Sequence, residues 1–273
     1  MKAGLILLVL LILATALGPL LLPDGEALDL AARFELPSIA HLLGTDELGR
    51  DVAARLMAGG RISLALAAAT AVLAALIGTL VGLMAGYLGG RADAALMRLT
   101  DGVMSLPLLP LLIVLAAADP VKLGLPEAVQ GSEFFAVLRL VLIIACIGWT
   151  TVARLVRAAT LSVRSRDYVR AAVAVGAGTP RIMLRHILPN VASPMVVATT
   201  LSVGNIILIE SALSFLGLGI RPPLASWGNM LTGAMEVVWS APTLAVWPGA
   251  LILLAVLSFN LIGDGLQRRL DRR

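Results

Sequence analysis

Long apolar blocks separated by short polar stretches set the plan of this chain. The blocks cover about 5–22, 62–88, 103–118, 134–153, 191–218 and 244–262. A helix rises about 1.5 Å per residue and a bilayer core is about 30 Å thick, so blocks of this size read as membrane-crossing helices. The pattern predicts an all-α, polytopic membrane protein with six transmembrane helices. The first block follows Lys2 and reads as an uncleaved span within residues 1–22. Pro19 and Pro23 occupy the region where a small-x-small cleavage site would fall.

The polar stretches carry the rest of the organisation. Residues 23–61 hold Asp24, Glu26, Asp29, Glu35, Asp46, Glu47 and Asp51 against Arg33, Arg50, Arg55 and Arg61. This excess of acid suits the outer side. Within it, Thr45 or Asp46 is expected to cap a short helix leading towards Leu56. The carboxylate spacing matches no cation loop. Along the second block, Gly78, Gly82, Gly86 and Gly90 recur every four residues, a ridge that allows close helix packing. Arg91, Asp93, Arg98 and Asp101 then mark a short inner loop, and Pro107 and Pro110 are placed to kink the third block. Outer loops are expected at 119–133, with Asp119, Glu127 and Glu133 against Lys122, and at 220–241, with Pro222, Pro223, Trp227 and Trp239. Trp247 reads as an interfacial anchor of the last block.

One polar stretch is too long for a simple connection. The loop 154–189 contains LSVRSRDYVRAAVAVGAGTPRIMLRHILP, with Arg164, Arg166, Arg170, Arg181 and Arg185 and a single acid, Asp167. Its local chemistry predicts two short helices. Ser165 caps the first, with Asp167 in its first turn. Tyr168, Ala171, Ala172 and Val175 share one face. Gly176 and Gly178 break the run, Thr179 caps the second helix with Pro180 at its first helical position, and Pro189 marks its end. Two readings fit these features: an amphipathic linker on the membrane surface, or a docking knob whose small Ala171-Ala172 pair admits a partner.

Composition narrows the class. The chain has 273 residues, 59% hydrophobic and 14% charged, with a mean hydropathy of +0.96; soluble domains carry about a quarter charged residues. The basic residues flank apolar blocks as the positive-inside rule expects, which argues against nucleic acid as a partner and leaves membrane lipid. That rule places Lys2, Arg91, Arg98, the arginine-rich loop and the basic tail 265–273 inside, with both termini cytoplasmic. Cys146 is the only cysteine, and His41 and His186, the only histidines, form no ligand cluster, so no metal site is expected. Lys2 and Lys122 are the only lysines, and neither sits in a GxxxxGK[ST] setting. The chain is therefore expected to bind no nucleotide itself.

Arg170-Ala171-Ala172, then Gly176, then Leu188-Pro189, resembles the cytoplasmic loop of ABC-importer permeases, whose pattern is Glu-Ala-Ala, three residues, Gly and a later Leu-Pro. LGTDELGRD (43–51) and ESALSFLGLGIRPPLASWGNML (210–231) resemble the dipeptide, oligopeptide and nickel branch, specifically the second of its two permease subunits. The resemblance covers nearly the whole chain, with a type I permease domain over 62–264. It implies partners: a homologous permease subunit, two ABC ATPase subunits that hold ATP and Mg, and an extracytoplasmic substrate-binding protein. It implies ATPase-coupling roles for Asp167, Arg170, Ala171, Ala172, Gly176, Leu188 and Pro189, and no catalytic residue. Arg170 replaces the family's Glu, a charge inversion that Asp167, three residues earlier, is placed to neutralise.

Asn205, Glu210 and Asn260 are the polar residues of the fifth and sixth blocks, candidates for the pathway or for helix packing. Glu210 falls about 30 Å of helix beyond Pro189, near the outer end. An ion-coupled secondary transporter using Glu210 is the main alternative, although no convincing internal repeat supports it. An intramembrane enzyme lacks a gathered nucleophile and base, Cys146 having no base in view.

Overall fold

The computed structural model describes residues 1–118 and 132–270. The expected outer loop at 119–133 and the tail at 265–273 therefore fall partly outside the described residues. Helix α1 is Lys2–Leu21. Pro19 lies inside it and offers no N–H to the carbonyl of Thr15, four residues back. Arg61 fills that gap: its Nε donates to Thr15 O at 2.9 Å, and its Nη2 donates to Ala16 O. An arginine that read as part of a solvated outer segment thus clips α1 to its neighbour.

Helix α2 is Val52–Leu88, 37 residues that begin ten positions before the expected span. Thr45 and Asp46 do not cap it. Asp51 does, with Oδ1 accepting from the N–H of Ala54 at 2.7 Å. The preceding segment folds into a compact loop closed by an isolated bridge between Thr45 and Asp51. In that loop Asp46 accepts from the N–H groups of Leu48 and Arg50 and pairs with the Arg50 side chain at 2.8 Å.

The short inner loop expected near Arg91 is instead a helix, α3, Gly90–Ser105. It meets α4, Leu108–Ala117, at 86°. The residue before a proline avoids the helical region, and Leu106, just before Pro107, is extended at ψ 138. Pro110 causes no break because it lies in the first turn of α4, where N–H groups have no helical partner anyway. The third span is thus a bent pair. Helix α5, Glu133–Arg164, outruns its expected end at 153. Its Arg157 pairs with Asp93 of α3, with Nη2 2.6 Å from Oδ2, and its Arg154 pairs with Asp101. Arg139 of α5 donates to Ala118 O at 2.6 Å and so closes the C-terminus of α4.

Helix α6 is Asp167–Ala174. Helix α7 is Thr179–Phe215, continuous through a π-helical segment, Ile182–Ile187. It ends in a Schellman turn at Gly217, φ +75, where Leu218 N–H donates to Leu213 O. The expected loop 220–241 contains another helix, α8, Trp227–Glu236, opened by a Ser226/Asn229 capping box. Helix α9, Thr243–Leu270, completes the bundle.

Helix α2 lies against α1, α5 and α7, while α9 packs on α7 and α1. In lipid no hydrophobic effect drives helix to helix, so close van der Waals contact must do so. The contact between α2 and α5 is made by three glycines. A Cβ on Gly78 would lie 2.5 Å from Trp149 O, on Gly82 2.6 Å from Ala153 O, and on Gly86 2.7 Å from Thr160 Cβ. Gly90 is not part of this ridge: with Gly89 it takes positive φ and turns the chain into α3. Because α2 and α5 run parallel, their C-terminal ends emerge together at one end of the bundle, called here the hairpin end.

Gly82→Leu is expected to force α2 from α5 and cost about 1–3 kcal/mol. Thermal unfolding in detergent checks it, with Gly102→Ala, where a methyl meets nothing within 4 Å, expected to leave Tm nearly unchanged.

Candidate functional site

The polar island forms a helical hairpin at that end. Helix α6 stops in a Schellman turn: Gly176 has φ +81, its N–H donates to Val173 O, and Ala177 N–H donates to Ala172 O. The left-handed position explains the glycine. Gly178 is extended and serves as the N-cap of α7, so the cap is not Thr179, which is already helical. Ser165 does not cap α6 either; its Oγ donates back to Ser162 O, and Arg166 is the N-cap.

Val169 and Ala172 of α6 are buried with Ile182, Ile187 and Val191 of α7, Val152 and Val156 of α5, and Leu83 of α2. This differs from the expected Tyr168, Ala171, Ala172 and Val175 face. Tyr168 and Val175 are exposed, and of the alanine pair only Ala171 faces out. The reason is the Schellman turn, which folds α6 back on α7 and consumes the Val169/Ala172 side.

Pro189 does not end a helix. The chain passes from the π segment into the long part of α7, with Leu188 N–H donating five residues back to Met183 O. An α-helical turn would drive the Pro189 ring into the carbonyl of Arg185, and the wider π register relieves that crowding. Asn190 Nδ2 donates to His186 O at 2.7 Å across the same turn. The hairpin therefore joins α7 with no loop between them. Leu188 is half-buried and Pro189 exposed.

Asp167 and Arg170 are both exposed, and the expected neutralising pair between them does not form. The acid used nearby is Asp93 of α3, which accepts from both Nε and Nη2 of Arg157, the two-pronged geometry that suits a guanidinium and a carboxylate.

Glu210 lies towards the opposite end and is completely buried. Ser214 Oγ donates to it at 2.7 Å and Ser63 Oγ of α2 at 3.2 Å. Ser63 Oγ also accepts from the backbone N–H of Trp227, whose indole donates to Leu56 O at 2.9 Å. These bonds tie α8 to α2 and α7, and the close approach requires Gly59, Gly60 and Gly228. Sequence reasoning missed Ser63, Ser214 and Ser226, because single hydroxyls in apolar or loop settings carry no spacing signal, and it left Trp227 in a loop, where its indole instead donates to Leu56 O. Glu210 of α7 thus forms an interhelical hydrogen bond with Ser63 of α2.

Asn205 lines a cleft of about 720 Å³ between α3–α4, α5, α7 and the end of α9. Thr151, Ser202 and Gln267 share that lining, which contains no Asp, Glu, Lys or Arg. Asn260 is not in the cleft; it faces Gly204, where an added Cβ would lie 3.6 Å from Asn260 Oδ1. Among the described residues, no three His, Cys, Asp or Glu side chains gather as a metal group.

A bundle of membrane-length helices with one projecting hairpin and a cleft along its flank defines the class: a polytopic membrane component. The chain belongs to the family described as binding-protein-dependent transport system inner membrane component, which matches residues 78–273. A Brucella suis biovar 1 protein named as a peptide permease is 44% identical over 99% of this chain and 86% of its own. Escherichia coli K12 relatives include the nickel transport system permease protein NikC, 36% identical over 99% of this chain and 93% of that protein. The oligopeptide transport system permease protein OppC of the same organism is 40% identical, over 98% and 85%. A solved amino acid ABC transporter chain shares the fold, with a TM-score of 0.57 at 17% identity, covering 79% of this chain and 94% of that one. These relationships favour the ABC-importer permease over the ion-coupled transporter.

Glu210→Gln keeps one acceptor oxygen for one serine and turns an amide NH2, a donor, towards the hydroxyl oxygen of the other, and is expected to cost less thermal stability than Glu210→Leu. Glu210→Leu leaves two buried hydroxyls without their acceptor and should cost about 2–4 kcal/mol, measured by unfolding in detergent.

Proposed function

We propose that this chain is one of two permease subunits of an ATP-driven importer for peptides or a related small solute, the nickel complexes of its relatives included. A homologous permease faces it across the cleft that Asn205 lines. Two ATPase subunits, which bind ATP and Mg, grip the hairpins of the two permeases. An extracytoplasmic binding protein delivers substrate at the opposite end. This chain performs no catalysis.

The observation that carries this reading is the continuity of the hairpin with α7. Three surfaces hold the hairpin from within: Leu83 of α2, Val152 and Val156 of α5, and Val191 of α7. Its tip remains free, with nothing within 4 Å of a Cβ on Gly176 or Gly178. A push on the tip therefore displaces α7 and the neighbouring ends of α2 and α5 as a body. Alternating access needs such a lever, with states a few kcal/mol apart that nucleotide redistributes.

Charge supports the orientation. Lys2, Arg91, Arg98, the hairpin arginines, Arg268 and Arg269 belong to the hairpin end, whereas Asp24, Glu26, Asp29, Glu35, Asp46 and Glu47 precede α2 at the other. The positive-inside rule puts the hairpin and both termini in the cytoplasm of a cell with an inner membrane.

Gly176→Val tests the lever. A β-branched residue at φ +81 reshapes the turn without entering the membrane bundle. Uptake by the reconstituted transporter is expected to fall about tenfold or more, within the range of coupling energies, while insertion and thermal stability persist. Wild-type uptake by this variant would contradict the coupling role.

A further inference from the structure

The outward face of the hairpin carries a charge pattern that the internal packing leaves unused. Arg166, the N-cap of α6, and Arg170 stand one turn apart, as do Arg181 and Arg185 at the start of α7. All four are exposed, and among the described residues none forms an ion pair. Asp167 is the only acid in the stretch 154–189, and among the described residues it too is unpaired. Elsewhere at this end the arginines do find carboxylates, as Arg154 and Arg157 do on α3. The same segment exposes apolar side chains: Val173, one turn after Arg170, at 53%, Val175 at 84%, and Leu184, one turn after Arg181, at 62%.

We propose that the ATPase cleft receiving this hairpin is acidic, with carboxylates set opposite Arg166, Arg170, Arg181 and Arg185 around an apolar seat for Val173, Val175 and Leu184. The proposal rests on the reading that an ATPase grips the hairpin, and adds the chemistry of the grip. Arginine offers a planar fork that a carboxylate meets with two parallel bonds. An apolar centre rimmed by such pairs is how protein interfaces are built. A lipid surface suits this face less well. A helix lying on headgroups buries its apolar stripe in the membrane, and the buried stripe of α6, Val169 and Ala172, is already spent inside the molecule.

Two measurements on the complete transporter test this. In the first, Val175→Cys in a Cys146→Ser background is labelled with a maleimide that carries a benzophenone, which on irradiation inserts into a C–H bond of whichever subunit lies against it. Cross-linking to the ATPase subunit is expected; its absence overturns the grip and the proposal together. In the second, retention of the ATPase subunits is followed from about 50 mM to about 1 M NaCl, where screening shortens from beyond 10 Å to about 3 Å. The wild type should lose the ATPase as salt rises. The fourfold Arg→Gln variant should hold it about tenfold less well at low salt and lose the salt dependence, while the fourfold Arg→Lys variant keeps it. Cross-linking together with salt-independent retention, unchanged by Arg→Gln, leaves the grip standing and overturns the acidic cleft. A Gln defect seen only in phosphatidylglycerol vesicles, and not in neutral detergent, assigns the arginines to lipid and overturns it as well.

Discussion

The backbone of α2 lies directly against α5, and the rest of the structure depends on that contact. Side chains at 78, 82 and 86 would each collide with the facing helix, so glycine is the residue that lets the two run in parallel as a single unit. Their shared end becomes a platform of Leu83, Val152 and Val156 on which the hairpin packs its Val169, Ala172, Ile182 and Ile187. Arg154 and Arg157 then fasten α3 along the same edge. Without the close contact the platform would separate, and the hairpin would have no rigid base.

The opposite end is held by polar chemistry instead. A buried carboxylate in a bundle is costly unless its acceptors are filled, and Glu210 receives hydroxyls from two helices. Ser63, one of those donors, then takes a backbone N–H from α8, so one acid organises three helices. Arg61 works similarly, supplying the donor that Pro19 removes from α1. Each of these polar groups answers a specific vacancy, whereas the cleft flanked by Asn205 is left with uncharged polar groups along an apolar wall.

Much of this was legible in the chain, for physical reasons. Apolar block length announced the spans, and four-residue glycine spacing announced the ridge at 78, 82 and 86. The arginine-rich island with its Gly176 break announced the hairpin. Boundaries were less legible. The α2 start moved to Asp51 because the Thr45–Asp51 loop folds on itself, and α5 ran past 153 because its arginines found acids on α3, a long-range pairing that no local pattern encodes. Helix α8 was hidden because its cap depends on Asn229 reaching back to Ser226. The hairpin face was misread because the Schellman turn, not helical periodicity, decides which side of α6 is covered. Pro189 read as a stop, and the π segment turned it into a joint.

Coupling through this chain requires the hairpin and α7 to move as one body. Spin labels at Val175→Cys and Leu216→Cys, in a Cys146→Ser background, bracket that body from tip to far end. Their distance in the nucleotide-free and ATP-bound transporter measures its rigidity, while a second pair of labels across the two permeases reports the transition. The expected result is a tip-to-end distance constant within about 2 Å while the cross-subunit distance changes by more, as a rigid lever requires. A tip-to-end distance that shifts with nucleotide while the cross-subunit distance stays fixed would show the hairpin swinging free of α7, and would contradict the lever.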